Sequence, residues 1–212
     1  RAFINQCPVL RVMQMDGCIP AAIAKWMYGV PFVATYGYKY SEFVLLKNRH
    51  FFSKIMRRIE ALGVRTAHTI IYTTQEIHDY LIDGFGADVE SKLLLIPNGV
   101  DTTLFGSVQE RDPHTLLFVG RLEEQKNLFA LLEAVSRLPQ KDTLRLLWIG
   151  RGSLKEALEQ RARELRVHLE IIDRVNHADL PPYYQRAGLF TLVSHIEGMP
   201  KVLIEAMSAG CV

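Results

Sequence analysis

Two glutamates, Glu197 and Glu205, stand eight positions apart in "SHIEGMPKVLIEAMSAG" (194–210). Two cations, Arg121 and Lys126, stand in "GRLEEQKN" (120–127). A hydrolytic acid/base pair needs its carboxyl groups roughly 5–10 Å apart across the scissile bond. Eight residues of helical rise separate two side chains by about 12 Å. The spacing therefore suits two hydrogen-bond acceptors placed along an extended polyhydroxyl ligand. The cations raise a different question. Lys126 falls just before a helix start, an end that already carries partial positive charge, and an anion such as phosphate would relieve it. Surface pairing with Glu123 and Glu124 accounts for Arg121 and Lys126 equally well.

The segment between the glutamates is built for close approach. Gly198 has no side chain to block a ligand. The backbone N–H groups of Gly198 and Met199 can face a ligand's oxygens, and Pro200 suits a first helical position. On a helical wheel Val202, Leu203, Ile204, Ala206 and Met207 form the buried side, while Lys201, Glu205 and Ser208 fall opposite. Glu205 is then a solvated surface residue or a ligand contact. Gly150, Gly152 and Ser153 in "GRGSLKE" open another strand-to-helix turn, as a ligand loop or simply a tight turn. His177 and His195 read as isolated. No nucleophile elbow, P-loop or HExxH zinc helix is present, and no metal site is expected.

The elements that must hold these residues alternate. Strands are expected at 115–120, 144–150, 168–172 and 189–194. Helices are expected at 127–139, 153–167, around 180–188 and at 200–210. Continuous apolar strands separated by helices predict a parallel, doubly wound sheet with ligands beyond the strands' carboxyl ends. The first half is also α/β. Its strands are expected at 10–15, 31–36, 68–74 and 92–97, and its helices around 20–29, 50–63 and 75–83. The polar, turn-rich run 97–114 divides the chain into a first domain (1–98), a linker (99–113) and a second domain (114–212).

Composition narrows the class further. The chain has 212 residues, 49% hydrophobic and 23% charged, with net charge +2. That charge gives no ground for nucleic-acid binding. No apolar run reaches the ~18–20 residues of a membrane span. Cys7, Cys18 and Cys211 are scattered, which suits a reducing cytoplasm. Residues 47–65 combine Lys54, Arg57 and Arg58 with Phe51, Phe52, Ile55 and Met56. This is a core-facing helix with a basic side, or an interfacial helix at the inner face of an anionic membrane.

Five stretches in register, "IPNGVDTTLF", "LLFVGRLEEQKNL", "WIGRGSLKEAL", "ADLPPYYQRAGLFTLVS" and "EGMPKVLIEAMSAG", resemble the GT-B-fold glycosyltransferases of family 4 across roughly residues 93–212. The resemblance implies two Rossmann-like domains, both incomplete in this chain. It also implies retaining transfer of a sugar from a UDP- or GDP-sugar to an acceptor hydroxyl, with no cofactor and no required metal. Such acceptors are glycans, lipid-linked sugars or small molecules, as in cell-envelope polysaccharide or glycolipid synthesis. Residue by residue, it assigns Arg121 and Lys126 to the donor diphosphate, Glu197 to the transferred sugar and Glu205 to the ribose. Gly120, Gly198, Met199 and Pro200 approach sugar and phosphate. Gly150, Gly152 and Ser153 line the nucleotide pocket, and Val175 meets the base beside Arg174. Departures are "EGMP" for the usual "EGFG", and Tyr36 where the family often has His. Tyr36, Lys39 and Tyr40 are the acceptor-side candidates. A nucleotide-sugar epimerase of the same fold and a non-catalytic nucleotide-sugar-binding fragment are the alternatives.

Overall fold

In the second half, side chains on a strand alternate between the two faces of the sheet, and here both faces are covered. In a computed structural model that describes residues 8–46, 49–106 and 110–211, β5 (Asp112–Val119) and β6 (Arg145–Ile149) show this directly. Leu116, Phe118, Leu146 and Trp148 pack on one side against α5 (Leu128–Ser136) and α6 (Lys155–Leu165). Leu117, Val119, Leu147 and Ile149 pack on the other against Tyr184 of α7 (Pro181–Arg186) and Ala206 of α8 (Lys201–Ser208). Burial on both faces is why these strands read as unbroken apolar runs. With β7 (His168–Ile172) and β8 (Ala187–Phe190) they form a parallel sheet in the order β7-β6-β5-β8.

The first half is a second parallel sheet, in the order β1-β2-β3-β4. Its strands are β1 (Leu10–Val12), β2 (Phe32–Tyr36), β3 (Thr69–Tyr72) and β4 (Leu93–Leu95). The helices are α1 (Cys18–Tyr28), α2 (Tyr40–Leu46), α3 (His50–Thr66) and α4 (Gln75–Phe85). The chain divides into two compact units, residues 1–98 and 99–212.

Three expectations are corrected, and one helix is added. The strand expected at 10–15 stops at Val12, because Met15–Gly17 forms a 3-10 turn that buries Met15. The sequence pattern did not reveal α2, which follows the Gly37 break directly. The strand expected at 189–194 is shifted to 187–190, although Thr191 N–H still donates to the Leu117 carbonyl of β5 at 2.8 Å. The expected linker belongs to the second unit. Phe105 is fully buried against Tyr184, and Arg111 donates to the carbonyls of Tyr184, Ala187 and Ala209.

The helix expected from 47–65 is α3, with residues 47 and 48 outside the described set. It turns Glu60, Gly63 and Val64 inward and exposes Phe51, Phe52, Ile55 and Leu62 beside Lys54 and Arg58. Among the described residues no helix is long and apolar enough to cross a membrane.

Candidate functional site

All four strands of the second unit point their carboxyl ends at one rim, and the loops leaving them interlock. Gly120 N–H donates to the Ile149 carbonyl at 3.0 Å, and Gly150 N–H to the Ile172 carbonyl at 2.9 Å. Leu122 N–H donates to Arg151, and Leu154 N–H returns to Leu122. The loops approach so closely that a Cβ at Gly150 would lie 1.8 Å from the Gly120 carbonyl oxygen. One at Gly152 would lie 2.1 Å from the Leu122 carbonyl oxygen. These two glycines are therefore fixed by backbone packing, whatever the rim binds.

Ser153 is held from the neighbouring loop, where the Glu123 carboxylate accepts from its N–H at 3.0 Å and its hydroxyl at 2.8 Å. Glu123 thus ties its own loop to the one that holds Ser153. Lys126 reaches 71 residues along the chain, and its ammonium pairs with Glu197 Oε1. Lys126 ends a 3-10 turn (Glu124–Lys126), and Asn127 then adopts φ 53° before α5 begins. Asparagine is among the few non-glycine residues that tolerate this left-handed conformation. Gln125 clamps the same two loops together. Its side-chain amide donates to the Ile196 carbonyl at 2.8 Å, and its own carbonyl accepts from His195 N–H at 2.9 Å.

Arg121 is exposed in the same loop and makes no side-chain hydrogen bond or ion pair among the described residues. Gly198, Met199 and Pro200 are half-buried, with Pro200 at the N-cap of α8 rather than inside it. Ser194 Oγ is buried without a hydrogen-bond partner among the described residues, the kind of group that a ligand or an ordered water satisfies. Val175 packs against the core beneath the rim, and Arg174 is exposed.

The helical wheel misplaced three residues. Glu205 is only 4% exposed, whereas Leu203 and Met207, assigned to the buried side, are 39% and 68% exposed. An ionised carboxylate can enter a core when donors meet it. Here Tyr184 OH donates to Glu205 Oε2 at 2.9 Å, and His177 Nε2 lies 2.8 Å from Oε1. Burial, reinforced by the Glu205 charge, pushes the Tyr184 phenol far above its ordinary range, so it stays a donor. His177 is therefore not isolated. No local spacing signals this, because its partner lies 28 residues away.

In the first unit, two of the three acceptor-side candidates are core residues. Tyr36 is 0% exposed, and Tyr40 is buried with its ring 4.0 Å from that of Tyr38, so neither presents a side chain to a ligand. Lys39 lies at the surface, paired with Glu76 at 2.7 Å. Lys39, Glu76, Asp79, Tyr80 and Asp83 line a shallow cavity of about 390 Å³.

A parallel α/β sheet with a cation–carboxylate rim at its carboxyl edge defines a class of ligand-binding domain, and comparison with known proteins gives the family. Residues 101–212, more than half of the chain, match the model of "Glycosyl transferases group 1", and residues 13–104 match "Glycosyltransferase Family 4". The chain belongs to the group 1 glycosyltransferase family, and its fold is GT-B-like. It is 32% identical over 119 residues to an alpha-1,4-N-acetyl-D-galactosaminyltransferase of Campylobacter jejuni, covering 55% of this chain and 32% of that protein. The fold is similar to sucrose-phosphate synthase from Thermosynechococcus elongatus, with TM-score 0.86 at 20% identity over 99% of this chain and 56% of that one. It is also similar to Anabaena HepE in complex with UDP-glucose, with TM-score 0.82 at 18% identity over 99% of this chain and 60% of that one. The chain spans between about a quarter and a half of the length of the curated relatives it matches.

Proposed function

We propose that the whole protein transfers a sugar from a UDP- or GDP-sugar to an acceptor hydroxyl with retention of anomeric configuration. The observation that carries this reading is the Lys126–Glu197 pair, which joins two loops at the carboxyl edge of the sheet. Lys126 has three N–H donors and uses one on Glu197, so the others are left for the diphosphate. Arg121 supplies a second, uncommitted cation. Together they stabilise the charge that develops on the departing nucleoside diphosphate, as preorganised donors aimed at a leaving group do.

Glu197 Oε1 is held by Lys126, which leaves Oε2 to accept from a sugar hydroxyl. The N–H groups of Gly198 and Met199 approach the sugar and phosphate. Gly150 to Ser153 and Val175 form the nucleotide wall, and Glu205 serves the ribose end. The relatives' names support this reading, as does the UDP-glucose complex of a protein with the same fold. The test is to mix the full-length protein with labelled UDP- and GDP-sugars and a screen of glycan and lipid-linked acceptors. Acceptor-dependent release of nucleoside diphosphate supports transfer, and no release with any donor overturns it.

Peripheral contact with anionic lipid belongs to the same proposal, resting on the exposed Phe51, Phe52 and Ile55 beside Lys54 and Arg58. Co-sedimentation with phosphatidylglycerol vesicles should fall in a Phe51→Ser, Phe52→Ser variant. Equal sedimentation of variant and parent removes this part of the reading.

A further inference from the structure

Lys126 ends a single 3-10 turn, and Glu197 lies in the irregular stretch between β8 and α8. A long lysine stem and a glutamate on such supports would sample many arrangements in which their charged ends do not meet. Their pairing therefore requires that the backbone beneath them be held in register.

Gln125 is placed to hold it. It is half-buried, it directly precedes Lys126, and it meets the two residues directly before Glu197. Its carbonyl accepts from His195 N–H at 2.9 Å, and its side-chain amide donates to the Ile196 carbonyl at 2.8 Å. A carbonyl oxygen can only accept, so the amide must present its NH2 group, and its orientation is fixed by chemistry. One hydrogen bond would set the distance between the loops and leave them free to rotate about it. Two bonds, to successive residues, set distance and rotation together. The loop is anchored a second time at its start, where Thr191 N–H donates to the Leu117 carbonyl at 2.8 Å. Held this way, Glu197 comes within reach of the Lys126 ammonium. Any residue at position 125 could accept from His195 through its backbone. The bond to Ile196 needs a side-chain donor of this length, so that half of the clamp belongs to the glutamine side chain.

We propose that Gln125 is a positioning residue for sugar transfer: by holding Ile196, its side-chain amide sets the register in which Lys126 and Glu197 face the donor. This rests on the nucleotide-sugar reading above and adds a residue that acts without touching the donor. Because it acts through its neighbours, losing its amide should lower the kcat of the full-length protein about tenfold, less than losing Lys126 itself. The donor KM should move by less than about twofold, because the cations and the rim glycines remain to bind.

Gln125→Met is the direct test, since methionine is similar in length, flexible and unable to donate. Steady-state kinetics are measured on the full-length protein as wild type, Gln125→Met, Lys126→Ala and the double variant. A residue that works through Lys126 has little left to act on once that side chain is gone. Gln125→Met should therefore lower kcat about tenfold in the wild-type background and no more than about threefold beside Lys126→Ala. An equal tenfold loss in both backgrounds is what a glutamine that only supports the fold would give, and it overturns the inference. So does an unchanged kcat in Gln125→Met. Should Gln125→Met fail to fold, Gln125→Ala, put through the same cycle, decides in its place. Absence of transfer by the wild type with any donor is a separate result: the nucleotide-sugar reading then fails, and this inference with it.

Discussion

Each unit buries one glutamate beside a tyrosine, and the two are treated differently. In the first unit Glu60 is 0% exposed on α3. Its Oε1 accepts from Ser41 N–H at 2.9 Å, its Oε2 faces Tyr80 OH at 3.4 Å, and Arg57 stands 3.7 Å away. Arg57 in turn lies over the Tyr80 and Phe85 rings and donates to the Tyr80 hydroxyl and the Gly84 carbonyl. The acid is sealed by a network that ties α2, α3 and α4 together. In the second unit Glu205 has one sealed side, at Tyr184, and one side that passes through an exposed imidazole. The difference is one of degree, because Arg57 beside Glu60 has a side chain 37% exposed and Tyr80 is half-buried, whereas the His177 side chain is 65% exposed.

The largest test of that contrast is on stability. Removing one partner from a buried charged network leaves the others uncompensated, and Glu60→Ala should destabilise the protein by about 3–5 kcal/mol. Glu205→Ala should cost less, about 1–3 kcal/mol, because only Tyr184 OH is orphaned while His177 regains water. Urea denaturation followed by circular dichroism measures both. Equal losses would mean that Glu205 is as sealed as Glu60, and the contrast would be gone.

The next effect is on chemistry rather than folding. Lys126 lies in a loop and pairs with a half-buried acid, so Lys126→Ala should leave the melting temperature nearly unchanged. If it stabilises the leaving diphosphate, transfer by the full-length protein should fall on the order of a hundredfold, about 2.7 kcal/mol. Glu60→Gln, by comparison, should lower stability without a selective loss of kcat. A Lys126 variant that melts early and keeps its kcat would class the ion pair with the structural network instead.

Between these lies a test of the rim itself. Gly150 adopts φ +155° and faces the Gly120 carbonyl, a backbone group that cannot swing aside as a side-chain tip would. Gly150→Ala should cost about 2–3 kcal/mol and weaken nucleotide binding with it, since both loops must part. Gly99→Ala, with nothing within 4 Å of the added Cβ, is the control and should change stability by less than about 0.5 kcal/mol.

How much of this was legible in the sequence follows from the range of the interactions. The strand His168–Ile172 was readable to the residue and β6 to within one residue at each end, because an apolar run covered on both faces advertises itself locally, whereas β5 begins three residues earlier than expected, in the polar Asp112–His114 stretch. Arg121, Lys126 and Glu197 stood out because charge at a strand end or before a helix is locally anomalous. The orientation of Glu205 was hidden. A wheel turns glutamate outward by default, and the donors that turn this one inward lie 21 and 28 residues upstream. Phe105 was hidden likewise, because its polar, turn-rich neighbours read as a tether while its own ring fills the core.

The last effect appears only at alkaline pH and again separates the units. Burial, with Asp16 nearby, pushes the Cys18 thiol up to about 11, and burial raises the phenols of Tyr36 and Tyr40 far above their ordinary range. The second unit's counterpart is Tyr184, raised by burial and by Glu205. For each group the unfolded chain loses its proton first, so above the unfolded pKa the native state holds more protons and stability falls as pH rises. The Cys18 share opens near pH 9 and is complete near pH 11, amounting to about 2–3 kcal/mol at most. Cys18→Ala should flatten the slope of unfolding free energy against pH between 9 and 11 by that amount, whatever it does to stability at pH 7. An unchanged slope would show that the native thiol titrates as it does in the unfolded chain. The alkaline loss would then belong to the other groups that hold their protons more tightly in the folded chain, the buried tyrosines together with the paired Lys39 and Lys155.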